Sequence, residues 1–171
     1  EKWLIVGLFI SGLSTSAQCG DVDVRSRLMG YEWQLQSEQW EGLGFDPSKE
    51  LITIVNNQQE AAHLKARAIA VLGLFPSPVV WDLFSQLLVE SEVVVQRRMV
   101  DTICNSFSSQ YPARLEALIG GYIDHPDAHL RLRVAKCLGV LGTATALQIV
   151  DQYRQKLQAS DQTWELDLLG G

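Results

Sequence analysis

Apolar side chains return every three or four positions through most of this chain, and three ten-residue stretches carry that pattern in the same frame. They are 64–73 (LKARAIAVLG), 95–104 (VQRRMVDTIC) and 130–139 (LRLRVAKCLG). With the first residue of each as offset 0, offset 0 holds Leu64, Val95 and Leu130, and offset 4 holds Ala68, Met99 and Val134. Offset 5 holds Ile69, Val100 and Ala135, offset 7 holds Val71, Thr102 and Cys137, and offset 8 holds Leu72, Ile103 and Leu138. Positions 0, 4, 7 and 8 fall on one face of an α-helix, so each block predicts a helix with a buried stripe. Offset 9 is Gly73, Cys104 and Gly139, small enough for close helix approach or for a helix end.

Each block has a companion helix. Residues 78–90 place Val80, Leu83, Phe84, Leu87 and Leu88 at helical spacing, 112–123 place Leu115, Leu118, Ile119 and Tyr122, and 145–157 place Leu147, Ile149, Val150, Tyr153 and Leu157. Residues 47–55 predict a further helix, with Asp46 as cap and Pro47 in the first turn. Gly120-Gly121 weakens the second of these companions or permits close packing there. No stretch alternates with period two, so no sheet is predicted. Helix pairs at a fixed spacing of 31 and 35 residues (64 to 95, 95 to 130) predict an all-α, right-handed α-solenoid of antiparallel pairs, because one pair cannot bury its apolar face alone. The solenoid is assigned to 46–158 and an N-terminal cap to 18–45. Within that segment Ser37 is expected to cap a short helix through Trp40, and Trp33 and Trp40 to cover the first pair, with an exposed hot spot as the alternative. Residues 159–171 read either as a C-terminal cap or as a repeat cut short.

The unit is similar to the second-helix signature V-R-x-x-A-x-x-A-L-G of HEAT-like repeats, including the short kind found in phycobiliprotein lyases. Residues 130–139 carry it most fully, 64–73 nearly as well, and 95–104 depart most, with Gln96, Met99, Thr102 and Cys104 at signature positions. The resemblance implies an armadillo-type superhelix that binds other proteins, with a minority of lyase-like members handling a prosthetic group.

The amino end changes the picture of compartment. Lys2, an apolar run from Trp3 to Leu13 and the small polar segment 14–17 have the three-part layout of a secretory signal peptide. Residues 1–17 are read as that peptide and the protein as exported, to a bacterial periplasm or outside the cell. An uncleaved anchor, or a lipid on Cys19 behind an unfavourable Gln18, are the alternatives. Cys104 and Cys137 read as small apolar core residues, bonded to each other only if neighbouring second helices approach closely enough.

Asp and Glu outnumber Lys and Arg by 20 to 14, for a net charge of −6, which argues against a general nucleic-acid binder. Against this acidic background, Arg67, Arg98 and Arg133 share offset 3, and Lys65, Arg97 and Arg131 lie beside them. One reading is a groove on the second helices for an acidic protein segment, since guanidinium forks grip carboxylates at two points. The other is structural, with each cation held by turn acids (Glu60, Glu90, Glu92, Asp124, Asp127) or by helix-end carbonyls. His63, His125 and His129 read as polar turn residues; Pro126 keeps the last two off one helical face, and Asp127 reads as the next helix cap, so no metal is expected. Asp82 and Glu90 read as a solvated face. No nucleophile or phosphate-loop motif is present, and no cofactor is implied by the residues themselves. The function expected is a non-enzymatic exported scaffold for a protein partner. A lyase-like enzyme or a segment of a longer array is the alternative.

Overall fold

Helix caps and breakers set the boundaries along this chain. The computed structural model describes residues 23–30, 33–160 and 163–170; the expected signal peptide, Cys19 and Tyr31 lie outside the described residues. The helices are α1 (Val24–Leu28), α2 (Ser37–Glu41), α3 (Ser48–Asn56), α4 (Ala62–Leu72), α5 (Pro78–Glu90), α6 (Val93–Phe107), α7 (Pro112–Ile119), α8 (Ala128–Leu141), α9 (Ala144–Gln158) and α10 (Thr163–Leu168), with a 3-10 helix at Gly120–Asp124. No strand occurs among the described residues.

Side-chain caps explain several starts. Ser77 Oγ accepts from the Val80 amide (3.3 Å) ahead of Pro78, Asp127 Oδ1 from Leu130 (2.8 Å) and Thr143 Oγ1 from Ala146 (3.1 Å). Asp46 Oδ1 accepts from the Ser48 amide at 2.9 Å, but α3 starts at Ser48, so Pro47, expected in the first turn, takes the cap position instead of Asp46. Ser37, expected as a cap, is instead the first helical residue of α2, and Gln36 precedes it without a side-chain cap bond. α8 runs on to Leu141 and stops where Gly142 takes a left-handed φ of 63°. The companion helix expected to reach Ile123 ends at Ile119, and the chain tightens into the 3-10 helix at Gly120-Gly121. Two adjacent glycines make that stretch poor α-helix, and Tyr122 Oη donates to the Leu88 carbonyl at 3.1 Å.

The second helices α4, α6 and α8 pack side by side in that order. α3 packs on α4, α5 on α6, α7 on both α6 and α8, and α9 on α8. At the carboxyl end α10 rests on α9 and α8. Every residue at offsets 0, 4, 5, 7 and 8 is buried, as the pattern predicts. Trp81 lies in the same core, edge-on to Phe107 (5.4 Å) and Tyr111 (5.3 Å). In α9 the buried stripe is Ala146, Val150, Tyr153 and Leu157; Leu147, expected inward, is exposed because the helix is turned by one position.

Offset 9 divides three ways. Gly73 permits close approach: a Cβ there would lie 2.5 Å from Thr102 Cγ2 and 2.8 Å from Ser106 Oγ, and Ser106 Oγ donates to the Gly73 carbonyl (2.8 Å). Gly139 is exposed, with nothing within 4 Å of its Cβ position among the described residues. Cys104 is bonded to Cys137. This corrects the reading of both cysteines as free core residues. Packed helix axes lie about 8–10 Å apart, but Cα atoms sit about 2.3 Å off each axis, so facing residues come closer than the axes do. Here the two Cα atoms are 5.7 Å apart.

α1 was not legible in the sequence. Its sequence VRSRL puts Val24 and Leu28 at offsets 0 and 4 and Arg25 and Arg27 at offsets 1 and 3, the arrangement of 130–134. Both apolar residues are fully buried, and α1 packs on α3 and α4. The segment 18–45 therefore contains a short buried helix as well as covering residues. Of these, Trp40 is buried in the core and Trp33 is half-buried.

Candidate functional site: a cationic trough between α6 and α8

The six candidate cations do not share one surface. Arg67 is spent on structure: its Nη1 donates to the Leu28 (2.6 Å) and Gly30 (2.8 Å) carbonyls, and its guanidinium stands 5.4 Å over the Trp33 ring. Arg97 grips Asp127 with both arms of its fork, Nε to Oδ1 at 2.8 Å and Nη2 to Oδ2. That guanidinium, with the Leu130 amide, holds the Asp127 carboxyl below the usual carboxylate range. Lys65 is partly buried near Glu60, Glu90 and Glu92, in a separate hollow on the α3–α5 side.

Arg131 is the most committed of the six. It donates to the carbonyls of His125 (2.8 Å) and Pro126 (3.0 Å), to Tyr153 Oη (3.2 Å) and to the buried carboxylate of Glu165. Tyr153 in turn donates to Glu165. Burial, and then the adjoining carboxylate, push the Tyr153 hydroxyl up to about 12. Burial opposes the charge of Arg131, but its hydrogen bonds to Tyr153 and Glu165 outweigh it, and the guanidinium stays above its ordinary value. This network ties α10 to α8 and α9.

Arg98 and Arg133 alone among the six converge. They line a trough of about 460 Å³ along the junction of α6 and α8, with the Cys104–Cys137 disulfide among its lining residues and Leu168 of α10 contributing. Lys136 joins them. Sequence reasoning missed Lys136, although offsets 3 and 6 lie one turn apart on the same side of a helix. Arg133 reaches across the trough to pair with Asp101 on α6, yet its Nε is buried without a hydrogen-bond partner among the described residues. The side chains of Arg98 and Lys136 are exposed and make no hydrogen bond or ion pair among the described residues.

The histidines take separate places. His125 lies in the turn, where its Nδ1 accepts from the Asp127 amide at 3.1 Å. His63 and His129 are not turn residues but second residues of α4 and α8; His129 lines the trough and packs 5.7 Å from the ring of Trp164. No grouping of three potential metal ligands occurs among the described residues, and no helix among them is long and apolar enough to cross a membrane. Comparison with protein-family models, with curated proteins and with solved structures finds no match to this chain.

Proposed function

We propose that this protein is an exported, non-enzymatic scaffold: a right-handed HEAT-like α-solenoid that binds an acidic segment of another protein on the face of its second helices. Support for the solenoid comes from its polar links, which join residues about one repeat apart. Arg97 meets Asp127 30 positions on, Arg133 meets Asp101 at 32, Ser106 meets Gly73 at 33, and Tyr122 meets Leu88 and Arg131 meets Glu165 at 34. A translational stack of like units repeats its contacts at its own period. The disulfide supports export, since such bonds persist in oxidising compartments.

The observation that carries the binding reading is the trough itself. In a chain of net charge −6, Arg98, Arg133 and Lys136 gather there against Asp101, the single acid lining the trough among the described residues. The walls belong to packed helices, so little ordering entropy opposes association. The test is capture from the native exported fraction with the wild-type protein, an Arg98→Glu/Lys136→Glu variant and a Lys49→Glu/Lys156→Glu control. The partner retained by wild type and control is lost by the trough variant, whose helical circular dichroism is unchanged. Equal capture by all three contradicts the reading.

A further inference from the structure

We infer that the trough reads a short extended segment with three alternate side chains facing it, two carboxylates followed by one aliphatic group. This rests on the binding reading above and specifies its ligand. α6 and α8 run parallel, in a register set by Asp101 beside Arg133 and Cys104 beside Cys137. In that register Arg98 lies at one end of the cationic stretch and Lys136 about 8 Å along it, at 1.5 Å of rise per residue. Val140, one turn beyond Lys136, is 71% exposed, and Leu168 on the adjoining wall is 50% exposed; both line the trough. The order along the trough is therefore Arg98, Lys136, then the exposed Val140 about 6 Å further on.

An extended chain presents alternate side chains to one side at about 6.6–6.8 Å intervals. That spacing places the first carboxylate at Arg98, the second at Lys136 and an aliphatic side chain at Val140. Arg133 stands between the two cations. Its buried, unpaired Nε makes the Asp101 pairing incomplete, so turning its fork toward an incoming carboxylate offsets part of what it gives up. Charge also fixes the ligand's length. A long polyanion would leave the trough and run over a surface of opposite tendency, because the whole chain is net −6, whereas a short acidic segment stays within it.

The experiment is fluorescence anisotropy with a labelled seven-residue peptide carrying Asp, Glu and Leu at its second, fourth and sixth positions and Ser elsewhere. Arg98→Gln and Lys136→Gln each weaken binding about 10-fold, because each removes one charge-assisted contact. Lys49→Gln, a cation outside the trough, leaves binding unchanged, and all three variants melt with the wild type. Replacing the peptide's acids by Asn and Gln removes binding, and replacing its Leu by Ser weakens it severalfold. If the Leu-to-Ser peptide binds as well as the parent, the aliphatic subsite is wrong while the acidic reading stands. If the parent peptide shows no binding to the wild type up to about 1 mM, or the Gln variants bind it as tightly, the acidic trough itself is overturned.

Discussion

Glu165 is a fully buried acid that holds two other side chains in place. Its carboxylate takes bonds from Arg131 and Tyr153, the only anchors that join α10 to the preceding helices through charge among the described residues. Deleting one partner of a buried pair costs about 3–5 kcal/mol when the rest stays put. A six-residue helix has an easier escape, which is to undock. Glu165→Ala therefore releases α10, and hydrogen exchange finds its amides unprotected while those of α4, α6 and α8 stay slow. Retained protection of α10 would contradict this. Asp127 carries a pH dependence with a defined sign. Its folded carboxyl sits below its unfolded value, so its pairing with Arg97 adds stability above about pH 4 and loses it as the pH falls through the folded value. Asp127→Asn keeps an acceptor for the Leu130 amide and loses the charge. Its melting midpoint lies below wild type at pH 7, by the equivalent of about 0.5–1 kcal/mol for a partly exposed pair, and the gap narrows as the pH falls below the unfolded carboxyl's range and through the folded value. Gly73→Ala forces a methyl into Thr102 and costs about 1–3 kcal/mol; adding Thr102→Ser, which removes the clashing methyl, recovers part of it in denaturant melts.

At the scale of elements, the disulfide is the one covalent cross-link between α6 and α8 among the described residues. It closes a loop of 33 residues, and the chain-entropy relation puts the stabilisation at about 3–4 kcal/mol. Reduction should lower the melting midpoint by about 10 °C, read by circular dichroism with and without reductant, while a Cys104→Ala/Cys137→Ala variant shows no further change on reduction. These elements also show what the sequence reveals and what it hides. The helices α4, α6 and α8 are legible because an apolar stripe at helical spacing has one good use, burial against like neighbours. The break after Ile119 was ambiguous, since Gly120-Gly121 equally allows a weakened helix or a tight packing point. The disulfide was hidden because sequence spacing does not report how closely two helices approach. α1 was hidden because five residues carry too few periodic positions to stand out.

For the whole molecule, the basic ladder was legible as a pattern but not as a surface. Offset 3 recurs in three units, yet the neighbours at that level differ: Arg67 finds free carbonyls at the end of α1, Arg133 finds Asp101, and Arg98 finds no partner among the described residues. Which cations stay available depends on the neighbouring helices, and periodicity within one ten-residue block carries no record of that. Lys136 entered the site for the same reason in reverse. The trough, its order of charges and its apolar end all depend on α6 and α8 lying side by side in one register. Peptide mapping of the intact protein, purified without reductant and equilibrated in an oxidising glutathione buffer, tests that register most directly. One linked pair, Cys104 with Cys137, is expected; recovering both as alkylated free thiols, or either joined to Cys19, would overturn the register.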